Sequence, residues 1–252
     1  TENDLAREIA ADVDPDAIHV ARRSIQKSLG TIHADKLHLI YDQVSANSAK
    51  TFDPSDSGYR AIKSVALALI AAADPAEGGR LASSQYAGAK TMTDKISALL
   101  TLGFIGGEQS DDAFTNFYKT HSNDSLVIDK WFALQAMLPE PGAVARVEAL
   151  MQHPAFSMSN PNRLRSVVSS FGFANPTGFN AADGSGYQFV ARVVVEIDPR
   201  NPQSAARMLT AFKSWRSLED GRRKLAEAAL RSIADRDALS VDVKDIATRS
   251  LA

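Results

Sequence analysis

The chain has no cysteine. That excludes disulfides, thiolate metal ligands and a cysteine nucleophile, and it fits a protein of the reducing cytoplasm. Long apolar runs are missing too. The longest, Val65–Ala73 (VALALIAAA), falls far short of the ~20 residues a membrane span needs and reads as a buried helix. There is no basic surplus: 28 Lys and Arg against 30 Asp and Glu give a formal charge of −2. Phosphate contacts usually leave a nucleic-acid-binding domain basic, so the expectation is no nucleic-acid partner and no membrane. The opening TENDLAREIA lacks a basic segment followed by an apolar one, the mark of a secretory signal. Because it begins with Thr1 rather than Met, we expect a piece excised from a longer protein.

Recognisable catalytic motifs are missing as well. His19, His33, His38, His121 and His153 are followed by Val, Ala, Leu, Ser and Pro, so H-E-x-x-H does not occur. His33 and His38 would sit about 140° apart on a helix and could not chelate as an i, i+4 pair. The histidines are expected at the surface or the edge of the core. Gly184-Ser185-Gly186 has no third glycine and follows no strand pattern, which argues against a dinucleotide site. G-x-S-x-G is absent too. We expect no catalytic residue, no metal and no cofactor in this chain.

What is present is helical periodicity. At 27.1 kDa, with 44% hydrophobic and 23% charged residues, the chain can bury a sizeable core. Apolar residues recur at helical spacing in segments punctuated by Pro, Gly, Asn and Asp. Asp14-Pro15-Asp16 opens a helix to about Leu29, where Gly30 is expected to interrupt it before a second helix over about 33–45. Ser55 or Asp56 caps the next, which ends at Asp74-Pro75. Helices follow over about 76–87, 93–105, 110–120, 124–138 and 142–152. Val127, Trp131, Leu134 and Leu138 share one face, expected to be core. Later helices run from Pro161 to about Phe171, to Ile197, from Pro202 to about Trp215, and over about 219–234 and 241–251. Gly78-Gly79 and Gly106-Gly107 read as helix ends or joints, Asp111-Asp112 as caps, and Arg222-Arg223-Lys224 as a solvated face. So many helices with short connections predict an all-α protein of paired helices stacked as irregular armadillo/HEAT-like repeats, in a single domain over residues 1–252.

The segment Asn160–Pro202 is the most distinctive. Asp183-Gly184-Ser185-Gly186 predicts a turn and an N-cap for the helix carrying Tyr187. Arg163 and Arg165 project roughly 200° apart, so one can be exposed while the other faces inward. Arg200 and Arg207 flank the Asn201-Pro202-Gln203 helix start. Arg165, Gln203 and Arg207 are candidate fork donors to a peptide carbonyl or carboxylate; ordinary surface ion pairing is the competing reading.

Asn160-Pro161-Asn162-Arg163-Leu164-Arg165-Ser166, Asp183-Gly184-Ser185-Gly186-Tyr187 and Arg200-Asn201-Pro202-Gln203 with Arg207 resemble the C-terminal domain of bacterial aminopeptidase N, the alanyl-type zinc metalloaminopeptidase. Tyr59-Arg60-Ala61-Ile62-Lys63, Met92-Thr93-Asp94 and the Asp129–Ala136 block (DKWFALQA) extend the likeness from about residue 50 to the C-terminus. The resemblance implies a right-handed α-α superhelix that walls and gates a peptide chamber over a catalytic domain lying outside this chain. That domain would hold one zinc ion. It implies that the chain is part of a cytoplasmic peptide hydrolase but inactive alone, with the remaining parent domains and peptide substrates as partners. Arg165, Gln203 and Arg207 would line the substrate channel. The competing expectation is an autonomous helical-repeat scaffold that binds a protein or peptide on its concave face.

Overall fold

The computed structural model describes residues 1–47, 56–139 and 141–252. Among them, helices are the regular structure, apart from one isolated parallel bridge between Val13 and Leu218. The all-α, repeat-like class expected from the sequence is borne out. The chain divides into two compact units, one formed by Val20–Asp124 and one by Thr1–His19 with Ser125–Ala252.

In the first unit, the later part of α2 (Pro15–Ile32) is followed by α3 (Ala34–Asn47), α4 (Ser57–Ala73), α5 (Pro75–Gly88), α6 (Met92–Ile105) and α7 (Glu108–His121). From α3 on, each helix packs on the next, and α4 also packs on α6 and α5 on α7, the contact pattern of stacked helix pairs. Leu67, Leu99, Leu102 and Phe117 fill the core. Asp74 caps α5 as expected, accepting the amides of Ala76 and Glu77 at 3.0 and 3.1 Å, with Pro75 in the first turn. Ser55, one of the two caps considered for α4, lies outside the described residues, and Asp56 occupies the cap position without a side-chain capping bond.

Three expectations in this unit are corrected. Gly30 does not interrupt α2 but lies inside it, where a Cβ would stand 2.2 Å from the carbonyl oxygen of Leu69. Gly78 and Gly79 are likewise inside α5, and a Cβ on Gly78 would come within 2.3 Å of the Ala71 Cα. These glycines let helices approach closely, whereas Gly106 and Gly107, with φ of 77° and 78°, do end one helix and begin the next. Neither Asp111 nor Asp112 is a cap, because α7 starts earlier, at Glu108, with Gly107 in the cap position.

The second unit contains α1 (Glu2–Ile9), α8 (Ser125–Ala136), α9 (Ala143–Met151), α10 (Pro161–Leu164), a π-helix (Arg165–Ser169), α11 (Ser170–Ala174), α12 (Pro176–Phe179), α13 (Ser185–Ile197), α14 (Pro202–Leu209), a 3₁₀-helix (Thr210–Ser217), α15 (Asp220–Ala234) and α16 (Val241–Leu251). Helix α1 was not anticipated. Thr1 and Asp4 close a capping box over its first turn. The helix expected from Pro202 to about Trp215 tightens to 3₁₀ after Leu209, where the Thr210 hydroxyl donates back to the Arg207 carbonyl at 2.7 Å. The core is aromatic. Phe179 meets Tyr187 and Phe212 edge-on, each at 5.2 Å, and Phe171 meets Phe189 at 5.4 Å.

Replacing Gly30 with Ala is expected to lower unfolding stability by ~1–3 kcal/mol through overpacking. Gly88→Ala, where a Cβ would meet nothing within 4 Å, is expected to be neutral or slightly stabilising. Urea unfolding midpoints of the two variants check the contrast.

Candidate functional site

The sequence block around Arg163 and Arg165 separates into a structural arginine and an exposed one. Asn160 caps α10, accepting the amides of Asn162 and Arg163 at 2.9 and 3.3 Å, and Pro161 supplies the first turn. That start directs Arg163 inward. Its Nε donates to the Ala155 carbonyl and its Nη1 to the Ser125 carbonyl, both at 2.9 Å; Nη1 also pairs with Asp129, and the guanidinium lies over the Phe132 ring at 5.5 Å. Its donors thus meet two carbonyls as well as a carboxylate, which makes burial of the charge tolerable.

Arg165 opens the π-helix and is exposed, with its Nη2 donating to Asn162 Oδ1 at 2.8 Å. The wider turn packs against α8, α9, α10 and α11. Gln203 and Arg207 lie four residues apart on α14, both exposed, and neither side chain has a hydrogen-bond partner among the described residues. Asn201 caps this helix, accepting the Ser204 amide at 3.0 Å. Gln203 and Arg207 therefore share one face, while Arg165 belongs to another set of helices: α14 packs on α13, α16 and the 3₁₀-helix. None of the three lines the cavity of about 230 Å³ between α1 and the 3₁₀-helix, where Val13, Ile18, Phe173, Phe212 and Leu218 form much of the wall.

One buried polar residue that holds this region together, Asn175, was not anticipated from the sequence. Asn175 is 1% exposed; its Nδ2 donates to the carbonyls of Ala136 and Leu138 at 3.1 and 2.8 Å, while its Oδ1 accepts the Gly178 amide at 3.0 Å. The signal was available: Asn-Pro opening a short helix is a capping pattern. The Asp183–Gly186 turn forms as expected. Asp183 Oδ1 accepts the amide and hydroxyl of Ser185, which hold its carboxyl below the usual range, and Gly184 adopts φ 75°. Gly186 does more than punctuate, because a Cβ there would lie 2.3 Å from the carbonyl oxygens of both Gly178 and Phe179. Tyr187 is buried, with its hydroxyl donating to Asn180 Oδ1 at 2.9 Å, and burial pushes its phenol well above the usual tyrosine value.

Arg222 corrects the expectation of a solvated basic face. It is 5% exposed and donates to the Asn180 carbonyl at 2.6 Å, while pairing with Asp14, Asp16 and Glu219. Arg223 and Lys224 do stay at the surface, both on Asp220. The aspartates that start α2 are therefore tied to the start of α15. Beside them, the Val13 amide donates to the Ser217 carbonyl at 2.9 Å and the Glu219 amide to the Val13 carbonyl at 3.0 Å.

Arg163→Met should cost about 2–3 kcal/mol of unfolding free energy by stranding Asp129 and the Ala155 carbonyl, whereas Arg165→Ala should stay within about 0.5 kcal/mol. Chemical denaturation of both variants reads the difference. Arg222→Met should speed backbone hydrogen exchange at Val13 and Glu219 by ~10-fold or more, with Arg223→Met leaving it unchanged. The Arg222 and Gly221 amides hold Glu219 below the usual carboxylate range, chiefly that of Arg222. Its contribution is therefore full above the unfolded-state value and is lost as pH falls through the lower folded value, so exchange corrected for intrinsic rate should also rise in acid.

Residues 1–252 match a protein family described as a domain of unknown function (DUF3458_C) with ARM repeats. Aminopeptidase N of Caulobacter vibrioides is 34% identical over 251 residues, covering 100% of this chain and 29% of that protein. Aminopeptidase N of Escherichia coli is 34% identical over 252 residues, covering 99% of this chain and 28% of that protein. The crystal structure of Legionella pneumophila aminopeptidase A in complex with aspartic acid superposes with a TM-score of 0.90 at 28% identity, covering 100% of this chain and 30% of that one. The chain thus spans under a third of the length of these relatives. Match to the family along its whole length, together with the helical-repeat fold, shows that the chain belongs to the DUF3458_C family, and the likeness to the C-terminal domain of bacterial aminopeptidase N read from its sequence is borne out.

Proposed function

We propose that this chain is the noncatalytic C-terminal domain of a cytoplasmic zinc aminopeptidase that removes N-terminal residues from peptides, and that it walls and gates the peptide chamber. In this reading residues 1–252 act as one domain, and the remaining domains of the parent and its peptide substrates are the partners. Similarity to aminopeptidases over under a third of their length supports it, and favours it over an autonomous scaffold. Among the described residues no cluster of His, Asp or Glu could hold a metal, so the zinc would be held by the rest of the parent. No helix among the described residues is long and apolar enough to cross a membrane.

The observation that carries the wall assignment is the availability of donors. Gln203 and Arg207 spend no side-chain hydrogen bond on the described protein, and Arg165 spends one on an exposed neighbour. A guanidinium presents paired N–H groups that fit a carboxylate or bridge peptide carbonyls. Arg163, two residues away, is buried and bonded to the fold through Nε and Nη1, so it is not counted among the wall residues. The proposed role is orientation: the three side chains hold the peptide beyond its first residues while bond breaking occurs elsewhere.

In the intact parent, Arg165→Ala and Arg207→Ala should raise KM for longer peptides by ~10-fold, with little change for a minimal alanyl substrate. Unchanged peptide kinetics in both variants would contradict the wall. The isolated chain should not turn over fluorogenic alanyl peptides with or without added zinc, and robust zinc-dependent turnover would overturn the noncatalytic reading.

A further inference from the structure

We propose that the cavity of the Val20–Asp124 unit binds a small zwitterion, with its carboxylate held by Lys63 and its ammonium end turned toward Asp94. The cavity has a volume of about 690 Å³ and gathers the C-terminal ends of α3 and α5 with the N-terminal ends of α4 and α6. That volume falls within the range of small-molecule sites. None of Arg165, Gln203 or Arg207 lines this cavity, so the proposal is independent of the peptide-wall reading.

Lys63 carries the inference. The residue is 8% exposed and lines the cavity, yet its ammonium has no hydrogen bond or ion pair among the described residues; the centroid of the Tyr41 ring lies 5.7 Å from Nζ. An ammonium that opens onto a cavity without a protein partner is left to solvent or to the anionic group of a ligand. Asp94 is 5% exposed, and its Oδ1 has no partner among the described residues. Its other oxygen takes the Thr91 hydroxyl at 3.1 Å. Asp42 and Asp94 both help raise the Tyr41 phenol, which is pushed up to about 12 chiefly by burial. That phenol donates to Gln85 Oε1 at 3.0 Å, and Gln85 Nε2 donates to the Asp94 carbonyl at 2.9 Å, fixing this wall.

The two unpartnered groups select the ligand class. Among the described residues the Lys63 ammonium and Asp94 Oδ1 belong to the lining of this cavity and have no partner of their own. A simple anion would answer only the first and a simple cation only the second. A molecule with a carboxylate at one end and an ammonium at the other, as in free amino acids and short peptides, satisfies both signs.

The test is titration of the 252-residue chain with glycylglycine, followed by calorimetry and amide NMR shifts. N-acetylglycine, which lacks the ammonium, and glycinamide, which lacks the carboxylate, serve as comparisons. Glycylglycine should shift the amides of Tyr41, Lys63 and Asp94, and each single-charge compound should bind ~10-fold more weakly or worse. Lys63→Met should weaken glycylglycine by a similar factor, Lys63→Arg should retain binding, and Arg165→Ala should leave it unaltered. The proposal is overturned if glycylglycine causes no shifts at these amides, if N-acetylglycine or glycinamide binds as well, or if a folded Lys63→Met variant binds undiminished. The comparison among compounds uses the unaltered chain and holds even if the Met variant fails to fold.

Discussion

A protein built from many short helices must find partners for the carbonyls and amides left over at every helix end. This chain meets that constraint with buried side chains that reach from one helix to the end of another. Asn175 takes the carbonyls of Ala136 and Leu138, Arg222 that of Asn180 and Trp215 Nε1 that of Ser250, while Arg163 takes that of Ala155 in the loop before α10. An unpaired buried carbonyl costs on the order of 1–3 kcal/mol, comparable to a large share of a domain's net stability. These few bonds therefore decide which helix ends can be buried together. The aromatic and aliphatic core then fills the space they define.

Close approach is the second half of the same solution. Gly30 lies against the Leu69 carbonyl, Gly78 against Ala71, and Gly186 against the carbonyls of Gly178 and Phe179. A helix surface with a missing Cβ lets a neighbour's backbone come near enough for polar ends and apolar flanks to close without voids. The sequence showed the helices and most of their boundaries, because the spacing of Trp131 and Leu134 or the Asp74-Pro75 and Asn160-Pro161 starts is a local property. It did not show which glycines sit within helices, since that depends on which helix crosses there. Nor did it separate buried Arg163 and Arg222 from exposed Arg165 and Arg223, because an arginine's burial is decided by carbonyls and carboxylates far away in the chain. Helix α1 was legible in principle, through the Thr1–Asp4 capping box, and so was the Asn175 cap.

The same division frames function. Arginines that satisfy the fold are buried and spend most of their donors on it, and those that remain exposed do not. Arg165 and Arg207, with Gln203, are of the second kind, and the proposed role in positioning a peptide rests on them. The cavity around Lys63 follows a different logic: there an ammonium and a carboxylate oxygen belong to the lining without protein partners among the described residues, and a ligand would complete them. One feature is a set of exposed donors and the other a cavity lined by both signs of charge, so they ask for different experiments.

The central claim is that this domain contacts peptide while the chemistry lies elsewhere in the parent. It is tested most directly by photo-crosslinking the intact parent with a peptide carrying a benzophenone side chain beyond its first two residues, followed by mapping of the adducts. The account predicts adducts within residues 161–170 or 202–207 that unlabelled peptide competes away. Adducts confined to the parent outside these 252 residues would contradict it.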